Sequence, residues 1–312
     1  MTYRRRTALV SALVVGLAVA SAPAAQAATV SDYSDVAATP NVEGCTIAQG
    51  FAAGPTYLYA IKTRSDDKRS VIHRVDKNTG VSTVMTTGAK TYNPWLGHAN
   101  DMTTADFGGK HYLFVVTLDK TTSGVQLVQL GYTGTTYTKV RSFHVTYDGK
   151  PRGVSGIDRI STSSTGITFF FKSAKQVYRG TVRPASGSRT VKLAKAFTLS
   201  TEKALVDGAV VPDLATFANQ GFHYDIAKKV LYYPLTKDNR SIVLVYRNVG
   251  RTRDTTAKPS TEDSFSITSA DYPAKFEIEG VGTSGGRLYF NTNRATSQAA
   301  ADGVHVFEGY SS

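Results

Sequence analysis

Short apolar runs of alternating or fully hydrophobic character, broken by Gly, Asn, Thr and Pro, recur from end to end of the chain and predict β-strands joined by tight turns. Five segments share one order of residue types, a polar residue, then glycine or a small polar residue, then an apolar one. They are Gln49-Gly50-Phe51, Asn100-Asp101-Met102, Ser155-Gly156-Ile157, Gln220-Gly221-Phe222 and Glu279-Gly280-Val281. Positions 49 and 279 lie four repeats apart, a mean period of about 57 residues, in the range that marks solenoids, propellers and repeat arrays.

Each segment leads into an aromatic-rich run: Tyr57-Leu58-Tyr59, Tyr112-Leu113-Phe114, Thr168-Phe169-Phe170, Leu231-Tyr232-Tyr233 and Leu288-Tyr289-Phe290. A third run follows in every unit, at Val71 to Val75, Val125 to Leu130, Gln176 to Val182, Ser241 to Arg247 and Val304 to Phe307. A fourth closes four units, at Val81 to Thr86, Lys139 to Val145, Val191 to Leu199 and Asp263 to Thr268. The fifth has none, while Thr29 to Val36 precedes the first repeat without a unit of its own. Lending that strand to the last unit closes a ring and covers a sheet edge. The pattern therefore predicts an all-β fold, a five-bladed β-propeller closed by the N-terminal strand, with residues 28–312 as one domain. A two-sheet sandwich would carry as many strands but would not explain the recurring polar-glycine-apolar step. Only Glu202 to Val206 and Ser297 to Ala301 read as short helical turns, and Thr252 to Asp263 reads as a long polar loop.

The first residues stand apart from this pattern. Arg4, Arg5 and Arg6 precede an apolar stretch from Ala8 to Ala20, and Ala25-Gln26-Ala27 carries the small-x-small cleavage pattern. Residues 1–27 are thus expected to be an export signal and the protein to be secreted, by the general or the twin-arginine route. No other apolar run is long enough to span a bilayer, so no transmembrane anchor is expected. The formal charge of +12 includes those three arginines and no acid from the signal, leaving +9 for the rest. A basic extracellular protein meets anionic polymers. Its Lys and Arg residues are scattered rather than gathered in one run, a placement that keeps strand edges apart, and nucleic acid is not expected as a partner. Cys45 is the single cysteine, which excludes an internal disulfide, and its setting reads as a buried, inert thiol.

In a propeller the first strand of each blade lines the central channel, so Gln49, Asn100, Ser155, Gln220 and Glu279 would form a polar ring. Asp101, Asp158, His98, His223 and Glu277 would lie close by. Such a ring is either a water-filled plug or a binding site, because buried polar groups need partners. Asp101, Asp158 and Glu279 come from three units and are the candidate catalytic set for glycoside hydrolysis, which needs a raised-pKa acid and a second carboxylate. Trp95, just before His98, could stack on a sugar ring or cap a blade core. His98, Asp101 and His223 have no paired-histidine spacing, so no metal site is expected. The chain has neither a Gly-x-Ser-x-Gly elbow nor a phosphate-cradling loop, and no cofactor is expected.

The same segments carry a family likeness. Leu96-Gly97-His98-Ala99-Asn100-Asp101-Met102-Thr103, with Arg74-Val75-Asp76-Lys77-Asn78-Thr79-Gly80, resembles a motif of secreted bacterial propeller-like proteins. Gln220-Gly221-Phe222 and Phe276-Glu277-Ile278-Glu279-Gly280-Val281 resemble parts of the helveticin J-type class III bacteriocins. The resemblance implies a propeller fold and an antibacterial or cell-wall-binding role, and it brings no catalytic residue set. The expected function is binding of a cell-envelope glycopolymer or bacterial surface through Gln49, Trp95, His98, Asn100, Asp101, Gln220, His223, Glu277 and Glu279. The alternatives are a glycoside hydrolase using the channel carboxylates and a protein-interaction disc that modulates a secreted enzyme such as a protease.

Overall fold

A computed structural model of the chain describes residues 32–118, 124–249, 255–260 and 263–310. The expected export signal lies outside them, as do residues 29–31 of the expected closing strand. The described residues are nearly all β. Four strands, Ile47–Ala53, Tyr57–Thr63, Ser70–Asp76 and Ser82–Val84, form the first antiparallel meander. The second comprises Asp101–Phe107, Lys110–Val116, Val125–Thr133 and Thr136–Tyr147, and the third Gly156–Thr162, Ile167–Ser173, Gln176–Val182 and Thr190–Leu199. In the fourth, the short strands Ala218–Asn219 and His223–Asp225 both pair with Val230–Lys237, which is followed by Arg240–Arg247 and Phe265–Thr268. The fifth runs Phe276–Ser284, Arg287–Arg294, Gly303–Phe307, and its outer edge is taken by the N-terminal strand Tyr33–Ala38. Tyr33 faces Phe307 and Ala38 faces Gly303 in that antiparallel pairing.

The aromatic second strands supply the packing. Tyr59, Phe114, Phe170, Tyr232 and Phe290 are all 2% exposed or less, as an aromatic wedge between neighbouring sheets requires. Five apolar clusters each straddle two adjacent units, including one that joins Phe51, Leu58 and Val75 of the first to Tyr289, Val304 and Val306 of the fifth. The ring pair Phe114 and Phe169, 4.8 Å apart and tilted, marks the seam between units two and three. The first strand of each unit packs against that of the next, and the fifth against the first.

Glycine in the recurring step lets those strands approach. A Cβ at Gly221 would stand 2.6 Å from Asp101 Oδ1, and one at Gly280 would stand 2.8 Å from Phe51 Cβ. Neither gap admits a side chain.

Three features depart from the sequence reading. The long fourth strands of units two and three pair parallel to each other, Thr190–Leu193 against His144–Tyr147, and merge the two units into one sheet. Glu202 to Val206 is not helical: Leu205–Val206 and Ala209–Val210 form a hairpin. Asp207 and Gly208 at its tip have φ of 51° and 78°, the doubly positive geometry of an Asp-Gly hairpin turn. Within the expected polar loop, Thr255–Ala257 pairs with the edge of Thr190–Leu199. The turn expected at Ser297 to Ala301 is a 3₁₀ helix over Thr296–Ala301.

Candidate functional site

The first strands begin at one end of the channel, the leading end, and finish at the other, the trailing end. At the leading end the expected polar residues do come from successive units. Asn100 is buried and its amide donates to the Ser155 carbonyl at 2.6 Å. Asn291 donates to the Gln49 carbonyl at 2.6 Å. The Gln49 and Asn291 side-chain oxygens are themselves buried without a partner. Gln220 is half-buried and reaches Thr236 only at 3.4 Å.

Glu279 is buried at this end and accepts from Asn293 Nδ2 at 2.9 Å. The same nitrogen donates to Glu277 at 2.9 Å, and Glu277, half-buried, forms an ion pair with Lys275 at 2.7 Å. A register shift between Ile278 and Gly280 puts Glu279 at a bulge, which turns the two glutamates toward one amide. Burial holds the Glu279 carboxyl well above the usual range, and the neighbouring Glu277 charge adds to the rise. The two glutamates cannot both ionise at low cost.

Asp101 sits deeper. Its Oδ2 accepts the amides of Ile157 at 2.9 Å and Phe222 at 3.2 Å, and its Oδ1 accepts the Met102 amide at 2.9 Å. One carboxylate thereby ties units two, three and four, and its contact with Phe222 coincides with the break between Ala218–Asn219 and His223–Asp225. Burial pushes this carboxyl up, with the Asp158 charge acting in the same direction against the three amides.

Sequence reasoning missed Lys172. It closes the apolar run Phe169-Phe170-Phe171, is fully buried, and donates to Ser155 Oγ at 3.0 Å and Asn219 Oδ1 at 2.8 Å. Burial lowers its ammonium to about 7, opposed by the Asp101 carboxylate. The folded state therefore sheds this proton near pH 7, whereas the unfolded chain keeps it to about 10.5. Stability contributed by this group must then rise with pH between those values. Melting the wild type and Lys172→Met at about pH 7 and about pH 9.5 checks it: a rise in the wild type that Lys172→Met lacks is expected. Parallel pH profiles would refute it.

Several expected ring members lie elsewhere. The turn at Gly97 and Ala99, with φ of 57° and 53°, sends the His98 ring outward to Asp67 at 3.1 Å, away from the channel. Trp95 is half-buried in the cluster shared by units one and two, with Lys139 5.1 Å above its ring, so it caps a core. Cys45 is buried and free, and burial pushes its thiol up. His223 and Asp158 belong to the trailing end, so Asp101, Asp158 and Glu279 occupy three different settings rather than one.

At the trailing end a cavity of about 210 Å³ is lined by Asp158, Arg159, His223, Asp225 and Thr283 among others. Asp158 Oδ2 lies 2.6 Å from His223 Nδ1, and His223 Nε2 lies 2.7 Å from Thr283 Oγ1. Asp158 also accepts from the Thr103 hydroxyl at 2.7 Å and from the Arg159 and Tyr224 amides at 2.7 and 2.6 Å. Asp225 and Thr283 were not singled out from the sequence, because neither falls on the recurring triplet.

No family model and no curated protein matches the chain. Among solved structures it is similar to a candidate glycoside hydrolase of Bacteroides ovatus ATCC 8483, with a TM-score of 0.51 and 11% identity over 87% of this chain and 92% of that one. A candidate glycoside hydrolase of Parabacteroides distasonis ATCC 8503 gives 0.50 and 11%, over 87% and 93%. A further glycoside hydrolase gives 0.51 and 10%, over 87% of this chain and 61% of its own. At these identities the likeness speaks for the fold alone.

Proposed function

We propose that this chain is an exported five-bladed β-propeller, closed by its N-terminal strand, that hydrolyses a glycan at the leading mouth of its channel. The observation that carries the reading is the Glu277 and Glu279 pair on one Asn293 amide. One member is buried with its carboxyl held well above the usual range, and the other is partly exposed beside Lys275. A buried carboxyl held protonated beside a second, partly exposed carboxyl supplies a proton donor and a neighbour that can face the sugar. Glu279 is then the acid toward the glycosidic oxygen and Glu277 the carboxylate that meets the sugar. Glycoside hydrolases are among the solved structures of similar fold, so the fold is one that accommodates this chemistry.

Turnover on a panel of polysaccharides tests this. Glu279→Gln and Glu277→Gln are each expected to lower kcat by about 100-fold or more, the usual share of general acid–base catalysis, with little change in melting temperature. A wild type that releases no product from any glycan, or a Glu279→Gln variant of full activity, would sink it.

A second reading is favoured by the orphaned Gln49 and Asn291 oxygens. Buried acceptors without partners beside a mouth of amides suit sugar hydroxyls, and a glycopolymer-binding protein of the bacteriocin-like kind needs no more. Retention on purified wall sacculi without any product is its expected signature.

A further inference from the structure

The trailing cavity holds chemistry that the leading mouth does not use. His223 Nδ1 faces a carboxylate, which only accepts, so this nitrogen carries the ring proton and Nε2 presents its lone pair. The group within reach of that lone pair is the Thr283 hydroxyl, at 2.7 Å. The other polar neighbour of Thr283, Asp225 Oδ2, lies at 3.4 Å and competes weakly. Asp158 is fixed by three further donors, and the His223 ring lies nearly parallel to Tyr232, 13° between planes. The three residues come from units three, four and five and meet on one cavity wall, an oriented carboxylate–imidazole–hydroxyl relay.

We propose that this relay is a second active site, an acyl-ester hydrolase in which Thr283 is the nucleophile, His223 its general base and Asp158 the residue that positions the imidazole. The Thr283 oxygen attacks the ester carbonyl carbon while its proton passes to His223 Nε2. The tetrahedral adduct then breaks its C–O bond to the alcohol, which departs with that proton. Water next attacks the acyl-threonine, gives a proton to Nε2, and the acid leaves as the hydroxyl is restored. Arg159, which lines the cavity, is the cation at hand for the oxyanion.

The volume of about 210 Å³ suits a small acyl group such as acetyl. Thr104 and Arg159 also line a neighbouring cavity of about 810 Å³ with Tyr57, Tyr132 and Arg74. Arg74 packs over the Tyr57 ring at 4.1 Å and Tyr132 against His111 at 5.6 Å, a wall of rings and a guanidinium edge that suits the sugar bearing the ester. The substrate class is thus an O-acylated glycan. This site needs nothing from Glu277 or Glu279, so its success or failure is separate from the hydrolysis of glycosidic bonds.

Hydrolysis of p-nitrophenyl acetate, and acetate release from acetylated xylan, test the assignment. Thr283→Val and His223→Ala are each expected to lose about 100-fold or more, and the double variant no further, since relay members act as a unit. Thr283→Ser, which keeps the hydroxyl, is expected to retain most activity whatever the fate of the other variants. Mass spectrometry of the quenched wild type should find an acetyl group on the peptide holding Thr283. A wild type no faster than buffer, full activity in folded Thr283→Val, or loss of activity in folded Thr283→Ser would each overturn the proposal.

Discussion

Removal of residues 32–38 is expected to leave a chain that melts at least about 10 °C below the parent, or that has no cooperative transition at all. The segment is the partner of Gly303–Phe307, a strand buried along its whole length. Without it, Val304, Val306 and Phe307 face water along an unpaired edge, which invites both unfolding and aggregation. The Tyr33 ring, 5.3 Å from Phe276 and 5.6 Å from Phe290, leaves the seam between units four and five as well. So does the Asp35 carboxylate, 2.7 Å from the buried His305. Losing several kcal/mol in a domain of this size shifts the midpoint by about 2–4 °C for each. A thermal scan followed by circular dichroism reads the result, and a deletion variant melting within about 2 °C of the parent would show that the edge needs no partner.

That strand was legible in the sequence because it was a surplus. Four units had a fourth run, the fifth had none, and one orphan segment, Thr29 to Val36, stood before the first. The second strands were legible for a related reason, since rings such as Phe114 and Phe170 recur at the same place in each unit and only a wedge between sheets uses them that way. What the sequence did not convey is height along the channel. A strand advances about 3.3 Å per residue, so Asp158 and His223, three residues beyond Ser155 and Gln220, are carried about 10 Å farther toward the opposite end. Residues that read as one ring therefore divide between two sites.

Backbone detail was hidden in the same way. The positive φ at Gly97 and Ala99 turns His98 outward, and the bulge beside Gly280 turns Glu279 toward Glu277. Lys62 and Lys172 were missed because each ends an apolar run whose neighbours give no hint of its partners. Those partners arrive from distant parts of the chain: Asp302 for Lys62 and Asn219 for Lys172.

Substitution of Lys62 by Met is expected to cost about 3–5 kcal/mol of stability, as removal of one partner from a buried ion pair does. Lys62 and Asp302 have fully buried side chains, with Nζ 3.0 Å from Oδ2. The three ammonium protons are directed elsewhere, to Asn41 Oδ1 at 2.6 Å, the Ala299 carbonyl at 2.8 Å and the Thr39 carbonyl at 3.1 Å. Asp302 Oδ2 thus contributes charge rather than a hydrogen bond, and one lysine of unit one anchors both the segment after the N-terminal strand and the 3₁₀ helix of unit five. Burial lowers the Lys62 ammonium, with the Asp302 carboxylate opposing, and burial raises Asp302, with Lys62 opposing. Losing the lysine leaves the buried carboxylate with only the Arg294 amide and the Arg294 charge to offset it, and it frees two carbonyls at the join between the chain's ends. Urea titration measures the cost, and Asp302→Asn introduced into Lys62→Met should recover part of it by removing the stranded charge. A Lys62→Met protein within about 1 kcal/mol of the parent would mean that Asp302 finds another cation or is protonated in the fold, and that the lysine does not hold the seam.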